Sequence, residues 1–158
     1  MPELNLRAYR PDDAPRLLTL FRDTIQRVNC RDYNPEQIVA WASDEIDEDA
    51  WAARFEGRFV VVAEQDEVLV GFGELESNGH IDRFYVSADH QGCGVGRRLI
   101  TALLHEATRL SLSRLTVEAS ITARPFFERY GFEVCERQLV ICRGVEMPNF
   151  RMTREHSV

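Results

Sequence analysis

Residues 84–98 read FYVSADHQGCGVGRR, and this stretch decides how the fold of the rest of the chain is interpreted. Gly92, Gly94 and Gly96 stand at alternate positions, where the absence of Cβ atoms lets backbone N–H groups crowd around one point. A helical pattern follows directly, and the start of a helix adds unpaired N–H groups and the positive end of its dipole. The sequence therefore predicts an anion site, most simply for a phosphate.

The size and charge of the chain limit the classes of function. Its 158 residues fit one domain, and no run approaches the roughly 20 apolar residues of a membrane helix, so no membrane partner is expected. The N-terminus lacks a basic segment followed by an apolar one, so the predicted location is cytoplasmic. The net charge of −7 argues against nucleic acid as a partner. Four cysteines without a C-x-x-C pair predict free thiols and no metal site.

Hydrophobic periodicity predicts the order of the elements. A strand opens the chain, two helices and a third short one follow, and three strands lead into the glycine turn. After the long helix that begins near Val95 come a strand, a helix over about 121–130, and strands over 133–142 and 149–153. The order β-α-α-β-β-β-α-β-α-β-β indicates an α+β fold with a mainly antiparallel sheet, in a single domain over residues 1–158.

Two common nucleotide-binding motifs do not match. A dinucleotide fingerprint needs a glycine three residues after Gly96, where Leu99 stands. A P-loop needs Gly-Lys-Ser/Thr, where this chain has Gly96-Arg97-Arg98. A nucleotide-binding enzyme is therefore the weakest of the interpretations.

The glycine stretch resembles the Q/R-x-x-G-x-G/A signature of the GNAT superfamily of N-acetyltransferases, with Gln91, Gly94 and Gly96 at the fixed positions. Residues 84–87 and 123–132 resemble the strand and the helix that flank this signature in the superfamily. The resemblance implies a twisted central sheet flanked by helices, with a splayed strand pair whose V-shaped cleft binds acyl-CoA, usually acetyl-CoA.

The resemblance also implies which residues contact acetyl-CoA, the co-substrate. Its cleft would lie between the strands at 80–86 and 114–119, with the pyrophosphate on the amides of the glycine turn. The N–H near Val86 would stabilise the developing negative charge on the thioester oxygen. Ser120 is alternatively a helix cap. The predicted contacts are Phe84, Tyr85, Val86, Gln91, Gly92, Cys93, Gly94, Val95, Gly96, Arg97, Ser120 and Phe127.

Acyl transfer to an amine needs a base, because an ammonium group of pKa roughly 10 has no lone pair for attack. Members of the superfamily often carry this base on the strand before the signature, where His80 and Asp82 stand here. Alternation puts both on one strand face, if no bulge intervenes, so Asp82 is expected to orient His80 or raise its pKa. Glu74 is a third candidate. Alternatively, His80 is simply exposed and Asp82 pairs with a cation such as Arg83.

The sequence departs from the superfamily at the acid that protonates the leaving thiolate. The position usually held by tyrosine is Phe127, whose ring has no proton to donate. Tyr130, Ser120 or water replaces it, or the thiolate leaves unaided. Two hypotheses follow: an acetyltransferase that acts on an amine of a small molecule or protein by direct attack in a ternary complex, and a non-catalytic acyl-CoA-sensing module of the same fold.

The sequence does not identify the acceptor. Tyr33, Trp41 and Trp51 are candidates to line its pocket, although aromatic residues at helical spacing are more often core. The oligomeric state is open between a monomer and a homodimer.

Overall fold

The computed structural model describes residues 3–157, so Met1, Pro2 and Val158 lie outside the described part, including the first two residues of the N-terminal stretch considered above. The strands are β1 Leu4–Ala8, β2 Phe59–Gln65, β3 Val68–Leu75, β4 His80–Val86, β5 Arg114–Ser120, β6 Glu133–Cys142 and β7 Val145–Glu155. The helices are α1 Ala14–Arg27, α2 Pro35–Trp41, α3 Glu48–Ala53, α4 Val95–Arg109 and α5 Arg124–Arg129. None of the helices within residues 3–157 combines the length and apolar character that crossing a bilayer requires.

One seven-stranded sheet in the order β1-β2-β3-β4-β5-β7-β6 organises the molecule. Neighbouring strands pair antiparallel except β4 and β5, which are parallel. The α+β prediction with a mainly antiparallel sheet is therefore confirmed. Within the described residues, β4 and β5 pair only at His80↔Thr116 and Ile81↔Val117 and then diverge, which opens the expected cleft between them.

Helices cover both faces of the sheet. On one face, α4 buries Leu99 and Leu103 against a cluster that includes Phe127. On the other face, α1 buries Leu17 and Phe21 in a cluster supplied by all three N-terminal helices. The helical spacing of the apolar residues in α1 and α4 gives each helix one apolar side, and burial of that side places the helix on the sheet.

A β-bulge in β4 changes the direction of its side chains. Between the pairs Gly73↔Phe84 and Leu75↔Ile81, β4 has one residue more than β3. Asp82 and Arg83 therefore both lie on the side covered by α1 and α3, while Phe84 packs on the α4 side. Ile81 packs on the α4 side, so its two neighbours His80 and Asp82 both lie on the opposite side of the sheet.

Two predicted boundaries differ from the structure. Helix α5 begins at Arg124 rather than near 121, because residues 121–123 form a turn in which Ser120 Oγ accepts a hydrogen bond from the Ala123 N–H at 3.0 Å. Strand β7 begins at Val145 rather than 149. Pro148 lies within it, opposite Leu139 of β6.

Candidate active site

A cavity of about 460 Å³ lies between the diverging parts of β4 and β5. It joins the glycine turn at one end to the start of the divergence at the other. The residues that line it include Gln91, Gly92, Gly94, Gly96 and Arg97 at the turn, Phe126, Phe127 and Tyr130 beside α5, and Trp41, Asp82 and Glu118 at the opposite end.

The three glycines of the turn serve two different purposes. Gly92 and Gly94 have φ of +72° and +87°, and a Cβ at either would meet no atom within 4 Å, so their requirement is conformational. At Gly96 a Cβ would lie 2.8 Å from the Phe126 ring, so this glycine lets α4 approach α5. The turn and the unpaired first N–H groups of α4 together form a cradle that fits a phosphate.

Gln91 connects the turn to the end of β4. Its side-chain amide donates to the Val86 carbonyl at 2.7 Å. The Ser87 N–H donates to Val70 of β3, so by the alternation of the ladder the backbone groups of Val86 face β5. By the same alternation, the Val86 N–H is directed toward the cavity and is available to a ligand.

Of the remaining predicted contacts in the turn, Arg97 lines the cavity, whereas Cys93 and Val95 are not among the described residues that line it. The Arg97 side chain is exposed. The Val95 side chain is buried in the core, so its backbone alone is available to a ligand. Cys93 is exposed, and its Sγ lies 3.5 Å from the Gln91 carbonyl.

His80 is held between two carboxylates. Its Nδ1 contacts Glu76, and its Nε2 lies 2.6 Å from Glu118 Oε2. Burial alone would lower the pKa of His80, but the hydrogen bonds and charges of the two glutamates outweigh it and raise the pKa above 6.5. The carboxylates that orient His80 are therefore these two, rather than Asp82 as expected from the sequence.

Asp82 lines the cavity and pairs with two cations. Arg54 and Arg58 lie 2.5 and 2.6 Å from its Oδ2. Burial alone would raise the pKa of Asp82, but the guanidinium groups outweigh it and hold the pKa below 3.8. This carboxylate is a poor proton acceptor at neutral pH. The alternative in which Asp82 pairs with a cation is thus observed, with Arg54 and Arg58 in place of Arg83.

Glu74, the third candidate base, is fully buried on β3. Arg83 contacts both of its oxygens, and Arg58 lies 3.2 Å from Oε1. It is not among the described residues that line the cavity. Its negative charge compensates the buried guanidinium of Arg83. That guanidinium also stacks on Trp51, with Cζ 4.1 Å from the ring centroid.

The part of the cavity beside α5 is aromatic. Phe127 lines it while packing on Phe84, with ring centroids 5.6 Å apart, and carries no transferable proton. Tyr130 also lines the cavity, and its ring packs on Phe126 at 5.0 Å. Ser120 lines it too, with Oγ accepting the N–H bond that shapes the turn after β5. Tyr130 is thus the phenol nearest in sequence to Phe127 that reaches this cavity.

Of the aromatic candidates for the acceptor pocket, Trp41 lines the cavity. Tyr33 is buried, where its hydroxyl donates to the Pro148 carbonyl at 2.6 Å and accepts from Ile121. Trp51 belongs to the core and donates to a carbonyl of α1. Tyr85 also lines the cavity, and burial raises the pKa of its phenol, so it stays protonated.

Sequence reasoning missed Glu76 and Glu118. Glu118 stands two residues before Ser120 in β5, and strand alternation would have placed the two on one face. Glu76 is four residues before His80 and closes the turn between β3 and β4, with its N–H donating to the His80 carbonyl. Neither position belongs to the glycine motif of residues 91–96.

Comparisons with known proteins converge on one description. A family model described as acetyltransferase (GNAT) domain matches residues 29–154. The uncharacterized N-acetyltransferase YafP of Escherichia coli (strain K12) is 38% identical over 153 residues, which cover 96% of each chain. A structure described as a GCN5-related N-acetyltransferase: aminotransferase, class-II, from Rhodopseudomonas palustris has a TM-score of 0.91 at 38% identity, covering 96% of this chain and 94% of that one. PaiA N-acetyltransferase from Thermoplasma acidophilum, in complex with coenzyme A, shares the fold with a TM-score of 0.80 at 16% identity, over 98% and 99%.

Proposed function

The chain belongs to the GNAT family of acetyl-CoA-dependent N-acetyltransferases, and we propose that it acts as one domain over residues 1–158 that acetylates an amine of a small molecule or protein. The amine attacks the thioester directly in a ternary complex. One observation carries the proposal: a single cavity joins the phosphate cradle of the turn to the Glu118 carboxylate beside His80. The continuous sheet from β1 to β7 supports the single domain.

The cavity suggests how acetyl-CoA is held. The pyrophosphate binds the amides of residues 92–97, with Arg97 at the rim, and the pantetheine arm lies between β4 and β5. By the alternation of the β3–β4 ladder, backbone groups of Phe84 and Val86 face away from β3 into that gap, where β4 no longer pairs with β5. The Val86 N–H donates to the thioester oxygen as it becomes negative.

His80 is the proton acceptor in this proposal. An amine that enters as an ammonium must lose a proton before attack, and the imidazole titrates closer to neutral pH than the other candidates. Asp82 is a weaker acceptor because two guanidinium groups stabilise its anion. Glu74 is a weaker one because it is buried with both oxygens bound by arginine.

Tyr130 protonates the departing thiolate, with water as the alternative donor. The support is its place in the cavity lining beside Phe127, which cannot act as an acid. We expect Tyr130→Phe to lower the turnover number while leaving coenzyme A affinity unchanged. If water alone supplies the proton, the substitution will leave the turnover number unchanged as well.

Thiol release from acetyl-CoA across a panel of primary amines, amino acids and lysine-containing peptides tests the function. Wild type should transfer acetyl to at least one amine, and His80→Gln should lose about 10²–10⁴-fold in rate. His105→Gln, on the exposed side of α4, is the matched control and should keep the wild-type rate. Tight coenzyme A binding without transfer to any amine would favour the sensing module. Failure to bind coenzyme A would contradict both.

The cellular setting and assembly belong to the same proposal. A reducing, cytoplasmic location is supported by the four cysteines, all free within residues 3–157. A homodimer is supported by β6, an edge strand on which Leu139 and Ile141 are 65% and 73% exposed. Light scattering of the purified chain measures this directly, and the mass of a single chain at working concentration would contradict it.

A further inference from the structure

The amine has to pass its proton to a group that it can touch, and His80 is set back from the cavity. Of the residues described, the lining of the acceptor end includes Glu118 and Asp82 but not His80. We propose that Glu118 is a catalytic residue that takes the proton from the acceptor amine and passes it to His80, with Glu76 as the positioning residue on the other ring nitrogen. This inference rests on the proposed acetyl transfer.

The two carboxylates at the acceptor end differ in their partners. Asp82 is bound by Arg54 and Arg58, so its charge is already compensated. Glu118 contacts Nε2 of His80, and the other ring nitrogen of His80 contacts a second carboxylate, Glu76. The Glu118 side chain is 46% exposed, so a ligand in the cavity can reach it. Glu118 is therefore the carboxylate that can contact the amine and is itself in contact with a proton acceptor, His80.

The arrangement around the ring explains why His80 accepts a proton. Both of its nitrogens lie within hydrogen-bonding distance of a carboxylate oxygen, and only the imidazolium has a proton for each of them. The neutral ring leaves one nitrogen lone pair opposite a carboxylate oxygen. Protonation of His80 removes that unfavourable contact. Glu76 thus strengthens the base and fixes the ring so that Nε2 points at Glu118.

The proton movements balance over the reaction. One proton passes from the ammonium to a Glu118 oxygen, and a proton passes from Glu118 to His80 Nε2, which leaves the amine neutral. The amine nitrogen then forms a bond to the thioester carbon and the carbon–sulfur bond breaks. Tyr130, or the water in its place, gives a proton to the coenzyme A sulfur and is reprotonated by the second nitrogen proton, and His80 returns its proton to water.

Several charged groups surround His80 and set its titration. Glu76 faces it from the turn after β3, and Glu118 faces it from β5, while Asp82 lies two residues along the same face of β4. Arg58, the residue just before β2, contacts both Glu76, at 3.4 Å, and Asp82. Removal of either glutamate takes away a negative charge from the ring, so the pKa of His80 falls. The acid limb of the rate profile should then move to lower pH.

The experiment compares Glu118→Gln, Glu118→Asp and Glu76→Gln with wild type, using the amine that wild type acetylates fastest in the panel. The measured quantities are kcat/KM for that amine against pH, the affinity for coenzyme A, and the pKa of His80 by NMR titration of its ring. Glu136→Gln is the matched control, because Glu136 is another exposed strand glutamate paired with a cation, Arg151.

We expect Glu118→Gln to lower kcat/KM by about 10²-fold with coenzyme A affinity unchanged, and Glu118→Asp to recover part of that loss. In Glu76→Gln the pKa of His80 and the acid limb should both move to lower pH, which a purely structural role would not produce. An unchanged rate in Glu118→Gln, or an unchanged His80 pKa in Glu76→Gln, would overturn the relay while leaving acetyl transfer intact. Absence of transfer to any amine by wild type would overturn the proposed function itself, and the relay with it.

Discussion

Glu74 is fully buried on β3, where its two oxygens meet the guanidinium groups of Arg83 and Arg58. Glu74→Gln keeps the shape but leaves Arg83 buried without its counter-charge. We expect the free energy of unfolding to fall by about 3–5 kcal/mol, measured by urea denaturation. The exposed control Glu136→Gln should change it by about 0.5 kcal/mol or less. A stable Glu74→Gln protein that has lost acetyl transfer would instead make Glu74 the base.

Protonation of the single residue His80 makes the free energy of unfolding depend on pH. Its pKa in the folded protein is raised above the unfolded value of about 6.5, so the charged ring contributes stability that is fully present below about pH 6.5. That contribution is lost as pH rises through the folded pKa. His80→Gln should therefore reduce the free energy of unfolding more at about pH 5.5 than at about pH 8.5. Equal reductions at both values would show that the glutamates do not favour the charged ring.

At the scale of elements, the contact between α4 and α5 depends on a missing side chain. A Cβ at Gly96 would lie 2.8 Å from the Phe126 ring, although alanine is normally favoured over glycine in a helix. We expect Gly96→Ala to cost about 1–3 kcal/mol of stability by overpacking and to weaken coenzyme A binding. Adding Phe126→Leu should recover part of both losses in calorimetry. If the single variant matches wild type, the glycine serves only the approach of the phosphate.

The elements themselves were largely predictable because their apolar residues repeat at regular spacing. Alternation along β4 and the long helical pattern of α4 each depend on neighbouring residues, so the sequence contains the information directly. The bulge in β4 depends on its pairing with β3 and was not predictable. The contact between His80 and Glu118 joins residues on two strands that pair only at their starts. The glycine turn was found from sequence because it is local, whereas the carboxylates at the other end of the cavity are brought together by the sheet.

At the scale of the whole molecule, ligand binding should stabilise all of the sheet together. The cavity is lined by β4, β5, α5 and the turn before α4, which belong to one sheet and its cover. Coenzyme A at 100 times its Kd should stabilise the protein by about 2.7 kcal/mol. We expect a single thermal transition whose Tm rises by about 5–10 °C. Two separate transitions, of which one alone responds to coenzyme A, would contradict the single domain.

The central claim is that the amine's proton leaves the acetyl-CoA cavity toward His80. The most direct test is kcat/KM for the best amine as a function of pH, in wild type and in His80→Gln. Wild type should rise with pH through an ionisation above about 6.5, and the variant should lose that ionisation together with at least about 10²-fold in rate. A His80→Gln enzyme with the wild-type rate and the same acid limb would contradict the claim.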